Sequence, residues 1–430
     1  MLSSVLKAKI NGREYDSLLA KLYGTDESTV EKQRARYIAA IEKFEEKYGE
    51  EREIAICSAP GRTEICGNHT DHNCGVIVAA AISEDTLCIA SPNGENVVNI
   101  TSEGYGDIPS VNLEKLRATV SDEGTTKGLV KGICAYIIKQ GGECKGVDLY
   151  ITSDVLQGSG LSSSASFENA VAATINGLFN NGRFSAVELA QISQKAENEY
   201  FAKPCGVMDQ TVSAVGGTVC LDLEDSANPK VTNLPLDLDA FGLALCTVDS
   251  RASHDNLTEE YAGITKEMAD ICQIFWKDSL RRLDLETLVN HISFLRDMVG
   301  DRAILRGMHF YMECKRVEDL CKAINAGDRE MFLKKITESG HSSYEYLQNA
   351  YVASDIRRQP MSVALSLAQS FLQDKGGAWR LQGGGFAGSI QCFVSKELVQ
   401  QFTEYMEIVL GEGCCKTVTL RSTGAVKVMG

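Results

Sequence analysis

Residues 154–170 read DVLQGSGLSSSASFENA: a strand exit, a Gly158-Ser159-Gly160 turn, and three serines opening what periodicity predicts to be a helix. Just upstream, Val147, Leu149 and Ile151 alternate as a strand requires. Downstream, Phe167, Ala170, Val171, Ile175 and Leu178 fall at helical spacing. A helix N-terminus offers unpaired N–H groups and the positive end of the helix dipole, which together suit an anion. Glycines let backbone approach a phosphate with no Cβ in the way, and serine hydroxyls add donors or a cation ligand. No G-x-x-x-x-G-K-[ST] occurs anywhere, so this is not the Walker phosphate loop. Standing alone, the stretch equally describes a serine-capped helix after a flexible turn.

Two other glycine-rich stretches flank it in the chain. Residues 58–80, SAPGRTEICGNHTDHNCGVIVAA, pack Arg62, Glu64, His69, Asp71 and His72 between glycines and run into an apolar strand. The H-x-D-H group could ligate a metal, but no further ligand cluster completes a site. A Ser-His-Asp triad lacks its G-x-S-x-G elbow. A polar ligand rich in hydroxyls is the third reading. Residues 379–394, WRLQGGGFAGSIQCFV, place Gly383, Gly384, Gly385 and Gly388 ahead of another strand. Alone, that pattern is a bulge or a close backbone approach.

The 430-residue chain is 44% apolar and 23% charged, which is globular and large enough for two lobes. A net charge of −15 argues against nucleic-acid or anionic-membrane partners, and cations for an anionic substrate must be gathered locally. The start, MLSSVLKAKINGREYD, has no apolar signal region, and VIVAAAI at 76–82 is too short to span a bilayer. Fifteen cysteines without a C-x-x-C read as thiols in a reducing cytoplasm. Val30, Tyr37, Ile38, Ile41 and Phe44 form one stripe of a helix over 29–49, closed by Gly49. GTVCLDLE and FGLALCTVD read as strands around a turn at Asn228–Pro229. No proline lies between Pro235 and Pro360, and most of 256–350 reads as several helices before strands return at 378–394 and 416–428. The expected division is 1–235 and 236–430.

The order of PGRTEICGNHTDHN, GSGLSSSA and GGGFAGS, with FEEKYGEEREIAICSAPGR, LVKGICAYI and AENEYFAKPCGVMDQTVSAVGG between and around them, resembles the GHMP kinase superfamily. Within it the chain is most similar to the galactokinases, over roughly residues 44–430. The resemblance implies a two-lobed fold, with a mixed-sheet α/β N-terminal lobe and a helix-rich α+β C-terminal lobe around ATP and a sugar. It implies ATP-dependent phosphorylation of the anomeric hydroxyl of a hexose, D-galactose first, with Mg2+. Asp209 in CGVMDQ matches the catalytic aspartate and Arg62 the arginine beside it. Gly158, Ser159, Gly160, Leu161, Ser162, Ser163 and Ser164 match the phosphate loop. Ser164 and Glu197 match the magnesium ligands, Glu197 being favoured over Glu199 by its spacing from Asp209. Asn68, His69, Asp71, Gly206 through its backbone, and Tyr261, seven residues after His254, match the sugar contacts.

Three positions depart from the galactokinase signature: Glu64 for asparagine, Asn68 for glutamate and His72 for tyrosine. The family glutamate binds the 6-hydroxyl of galactose. Neutral Asn68 would hold it more weakly or tolerate a carboxylate there. Galacturonate or an amino sugar is therefore the alternative substrate, with Arg251 as the candidate cation for an acid. If residues 64–68 were helical, Glu64 and Asn68 could exchange roles. A non-catalytic sensor of sugar and ATP is the reading from another class, while HTDH and CGVMDQ disfavour a mevalonate or homoserine kinase. The partners expected are small molecules only, with a cytoplasmic monomer as the default.

Overall fold

A computed structural model describes residues 1–106, 108–155, 160–226, 228–252 and 257–430. The chain opens with three helices, α1 (Ser3–Asn11), α2 (Asp16–Tyr23) and α3 (Glu27–Tyr48). The stripe expected on α3 is its buried face, with Asp26 capping the start and Gly49 ending it at φ 97°. The shorter α1 and α2 have no capping side chain and were not read from sequence.

The first sheet is built on two long strands, β1 (Ala55–Cys66) and β2 (Val76–Pro92), paired antiparallel. It continues through β3 (Val97–Ser102), β4 (Ile108–Asn112) and β5 (Val147–Ser153). The helices α4 (Thr126–Lys139), α5 (Ser163–Phe179), α6 (Ala186–Glu199) and α7 (Met208–Val215) follow, then the hairpin β6 (Thr218–Asp222) and β7 (Lys230–Leu234). Strand order is β12-β1-β2-β5-β3-β4, where β12 (Val426–Met429) comes from the end of the chain, and β6 pairs with the first half of β2. Only β3–β5 is parallel in this sheet, so its topology is mixed.

Alternation on these strands explains the layering. Leu87, Ile89 and Tyr150 pack under α1–α3, whereas Cys88, Ala90, Leu149 and Ile151 pack under α4–α6. On the first half of β2, Val76, Val78, Ala80 and Ile82 turn toward the second lobe and join its core with Val317, Leu320 and Phe332. That shared core fixes one lobe against the other.

The second lobe opens with β8 (Leu243–Ala252) and the helices α8 (Thr258–Ile274), α9 (Leu285–Asn290), α10 (Ile292–Val299), α11 (Asp301–Ala326) and α12 (Arg329–Ser342), as the proline-free composition predicted. It closes with α13 (Pro360–Leu372), β9 (Ala378–Leu381), β10 (Gly388–Ser395), α14 (Val399–Leu410) and β11 (Cys415–Val418). Its sheet is antiparallel in the order β11-β8-β10-β9. Among the described residues no helix is long and apolar enough to cross a membrane.

Candidate active site

A cavity of about 650 Å³ opens between the two sheets. The glycine-flanked loop after β1, the loop before α7, the turn between β9 and β10, and Tyr261 on α8 form its walls. Arg62, Asn68, His69, Asp71, Gly206, Asp209, Tyr261, Glu197 and Ser164 all line it. The residues singled out in the sequence thus converge, although they come from five separate stretches.

Asp209 sits in the first turn of α7 and Arg62 on β1. Their pairing is bidentate: Arg62 Nε donates to Oδ1 and Nη2 to Oδ2 of Asp209, both at 2.7 Å. Ser162 donates its hydroxyl to the same carboxylate, and Arg62 also donates to the Gly160 carbonyl. Burial pushes the Asp209 carboxyl up, but the Arg62 guanidinium, helped by Ser162 and Lys203, outweighs it and holds the group below the usual carboxylate range. Asp209 is therefore ionised at neutral pH.

The serine stretch does form the start of α5, but not as a self-capped helix. Ser162 lies in the left-handed region at φ 59° and makes no cap bond, because its hydroxyl is turned to Asp209. Leu161 is buried, and its carbonyl accepts from the Arg62 N–H at 3.0 Å. A Cβ on Gly61 would stand 2.7 Å from that carbonyl, so only glycine lets the two loops meet. Gly158, Ser159 and His254 lie outside the described residues.

Glu197 lies in the last turn of α6, almost fully buried. Its Oε1 accepts from Lys203 Nζ at 2.9 Å, and its Oε2 accepts from Gln210 Nε2 at 2.8 Å. Gln210 also donates to Glu168, whose other oxygen has no partner. Burial, and then the charge of Glu197, pushes the Glu168 carboxyl well up. Lys203 and Glu168 were not read from sequence, because nothing local marks AKPCG or SFENA as belonging to this cluster.

On the opposite wall His69 adopts φ 57° and its Nε2 lies 3.0 Å from the Gly384 carbonyl. Tyr261 donates to the Gly385 carbonyl at 2.9 Å and meets Phe386 edge-on. A Cβ on Gly206 would lie 2.9 Å from Asp71 Oδ2, which explains why this wall carries a glycine. Burial, reinforced by His69 and His309 against Asp71, pushes His72 down to about 4, so its ring is neutral. No group of three or more His, Cys, Asp or Glu side chains is arranged to hold a metal among the described residues.

The substituted signature positions behave differently from the expectation. Residues 64–68 are not helical: Glu64 is in β1 and Asn68 in the turn beyond it. The two still touch, Asn68 Nδ2 donating to Glu64 Oε1 at 3.1 Å, and Arg380 from β9 pairs with Glu64 at 2.7 Å. Arg251 does not line the cavity. It is committed to Asp249 and to the carbonyls of Leu410 and Glu412.

A second cavity, of about 750 Å³, adjoins the first and shares Ser164 with it. Tyr105, Leu129, Ile151, Val155, Phe167 and Phe201 give it an apolar lining, with Thr126, Ser153 and Ser163 as polar points. Apolar strand and helix residues carry no local signature, so this chamber was not legible in the sequence.

Comparison with known proteins agrees with this architecture. The galactokinase galactose-binding signature matches residues 42–92, and the GHMP kinases N terminal domain matches residues 128–217. The galactokinase of Streptomyces coelicolor is 30% identical over 373 residues, 85% of this chain and 91% of that protein. The chain belongs to the galactokinase family. The galactokinase of Mannheimia succiniciproducens is likewise 30% identical, over 85% of this chain and 91% of its own length. Lactococcus lactis galactokinase, solved in complex with galactose, superposes with a TM-score of 0.78 at 24% identity, covering 91% of this chain and all of that one. Methanococcus jannaschii mevalonate kinase shares the fold at a TM-score of 0.61 and 14% identity, over 86% of this chain and 98% of that one. The two-lobed GHMP kinase fold expected from the motif order is the fold of this galactokinase-family sugar kinase.

Proposed function

We propose that the protein transfers the γ-phosphoryl group of ATP to the anomeric hydroxyl of D-galactose. The observation that carries this reading is the Arg62–Asp209 pair, which sits in a polar cavity next to a second, apolar chamber joined to it through Ser164. Phosphoryl transfer needs positioning and charge neutralisation more than covalent chemistry. The larger chamber takes the adenosine, with the N-terminus of α5 facing the phosphates. The polar cavity takes the sugar.

Asp209 accepts a hydrogen bond from the anomeric hydroxyl and orients it for attack. A carboxylate held below its usual range is a weak base, so the hydroxyl gives up its proton late, as the new P–O bond forms. Arg62 keeps Asp209 ionised and stabilises charge on the transferring group. His69, Asp71 and Tyr261, with the Gly206 backbone, hold the remaining hydroxyls. Carboxylate acceptors suit them because such bonds are charge-assisted. The donor set of Ser164 and Glu197, a hydroxyl and a carboxylate lining one cavity, suits a hard cation that keeps most of its water. Mg2+ held there would neutralise charge on the nucleotide's phosphates. The division of the chain near residue 235 into two lobes belongs to the same proposal. It is supported by the passage from β7 in the first sheet to β8 in the second, with β12 returning to the first.

Galacturonate is not favoured. Of the basic side chains lining the sugar cavity, Arg62 is bound to Asp209 and Lys203 to Glu197, and Arg251 lies elsewhere. ATP turnover in a coupled assay with magnesium, run against galactose, galacturonate, N-acetylgalactosamine, glucose and mevalonate, tests the proposal. Galactose should give the highest kcat/KM and Asp209→Ala should abolish turnover. Sugar and ATP binding without turnover of any of them would replace the enzyme with a sensor.

A further inference from the structure

Asn68 occupies an unusual place for a residue on a sugar-binding wall: its amide has nothing left to offer. It is 1% exposed. Its Nδ2 donates to Glu64 Oε1 at 3.1 Å and to the Gly383 carbonyl at 2.7 Å. Its Oδ1 accepts from Asn349 Nδ2 at 2.8 Å and from Ser343 Oγ at 3.4 Å. A primary amide has two donor hydrogens and two acceptor lone pairs, and all four are engaged by protein. The backbone is held as well, with the carbonyl 2.9 Å from His309 Nε2 and the N–H directed at Glu313.

The partners form a continuous chain across the two lobes. Buried Arg380 grips Glu64 through both its carboxylate and its carbonyl, at 2.7 and 3.0 Å. Glu64 accepts from Asn68. Asn349 then donates both to Asn68 and to the Gly384 carbonyl, at 3.0 Å, and that carbonyl also faces His69 Nε2. Gly385 completes the closure: a Cβ there would lie 2.2 Å from the Asn349 carbonyl, and its φ is 82°. The loop after β1 and the turn between β9 and β10 are both walls of the sugar cavity.

We propose that Asn68 is a positioning residue, not a sugar ligand: with Glu64, Arg380 and Asn349 it latches the loop carrying His69 and Asp71 onto the Gly383–Gly385 turn. The proposal rests on the reading of this cavity as the sugar site. The latch works by polarity. Both N–H groups of Asn68 point at acceptors, so a carboxylate at 68 would set oxygen against oxygen at Glu64 and at Gly383. A sugar ligand would behave in the opposite way, because a carboxylate accepts from hydroxyls better than an amide does.

Asn68→Asp therefore separates the two roles. As a latch mutation it raises the KM for galactose by ~10-fold or more while the KM for ATP stays within ~2-fold. Adding Glu64→Gln restores polarity at one of the two contacts, since the amide introduced on β1 can donate to the carboxylate introduced on the loop; the contact with the Gly383 carbonyl stays unrepaired, so the rescue is partial. The double variant should regain at least ~5-fold in kcat/KM over Asn68→Asp alone. Asn349→Ala, which removes a link that does not line the cavity, should also raise the galactose KM and spare that of ATP. Amide hydrogen exchange supplies a readout free of activity: Asn68→Asp should speed exchange in 67–73 and 382–387 together, even if the wild-type protein turned over none of the sugars. A galactose KM unchanged or lowered in Asn68→Asp would overturn the latch, as would a folded double variant no better than the single one. Failure of the wild type to phosphorylate any sugar, with coupled exchange intact, would instead remove the proposed reaction and leave the latch standing.

Discussion

Replacing Arg62 by methionine removes the guanidinium while keeping most of its volume, and the structure sets the size of the effect. Two parallel 2.7 Å bonds hold Arg62 on Asp209. Charges ~4 Å apart interact by ~4 kcal/mol at an effective dielectric of ~20. The Asp209 side chain is 31% exposed, and water there reduces the pair to ~2 kcal/mol. That corresponds to ~30-fold in kcat from loss of the oriented carboxylate alone. Loss of a cation beside the transferring phosphoryl group adds to it, and an arginine in such a place contributes ~1000-fold or more in other phosphotransferases. A kcat between ~30-fold and, with both losses combined, ~30,000-fold below wild type is expected in the coupled assay. The pH profile supplies the second arm. Burial raises the Asp209 carboxyl and Arg62 is the main group lowering it, so without Arg62 its pKa rises. Activity needs the ionised form, so the acid limb of kcat moves to higher pH. A kcat within ~3-fold of wild type together with an unmoved acid limb would refute the assignment of both residues.

Gly206→Ala places a Cβ 2.9 Å from Asp71 Oδ2, so the carboxylate must move; the galactose KM should rise ~10-fold with little change in melting temperature, as titration calorimetry and a melt will show. Thr126→Trp fills part of the apolar chamber, and its ATP KM should rise by ~10-fold or more while galactose affinity holds. Chelating divalent cations with EDTA should abolish turnover and weaken ATP binding while leaving galactose binding intact, and a galactose affinity that fell in parallel would place the cation elsewhere. Burial pushes the Glu313 carboxyl up, but Arg316, with His309, Arg380 and Ser339, brings it down to about 2. Since the unfolded group titrates near ~4.3, its contribution is full above about pH 5 and is lost as pH falls toward 2. Glu313→Gln should thus melt well below wild type at pH 7, and the gap should narrow between pH 5 and pH 3. A gap independent of pH would sink that reading.

How far the sequence could be read depended on where each residue's partners lie. The α3 stripe and the alternation of β5 depend on neighbours a few residues away, and both elements form as expected. Arg62, His69, Asp71 and Asp209 were legible as candidates only through the galactokinase-like motifs in which they sit. Their supports were not. Glu313 lies on α11, within HFYMECKR, and nothing in that segment marks it as the acceptor for the Gly67 N–H. Arg380 lies 316 residues from Glu64. From the sequence, the substitutions at 64 and 68 could be linked only through a helix over that segment. The structure links them without a helix, because the carboxylate on β1 is the acceptor for the amide on the loop. Pattern reading along the chain registers each change, but not the bond between them, nor the Arg380 side chain on β9 that holds Glu64 in place for it.

The acidity of the chain also has a local consequence. A protein carrying −15 must still attract a nucleotide with several negative charges. Glu64, Asp71, Glu197 and Asp209 line the sugar cavity against only Arg62 and Lys203, and both cations are already paired. The cleft therefore offers the phosphates no free basic side chain among these residues. What it does offer is the amino end of α5, a 17-residue helix whose first residues are not capped by its own serine. That arrangement gives directional N–H donors without a fixed positive charge that would also hold the product nucleotide. On the proposed reading, charge neutralisation would fall to a cation that accompanies the nucleotide, with Ser164 and Glu197 as the residues to hold it. Such a site would bind tightly only with metal and phosphate present together, and an acidic cleft is compatible with the proposed reaction on those terms.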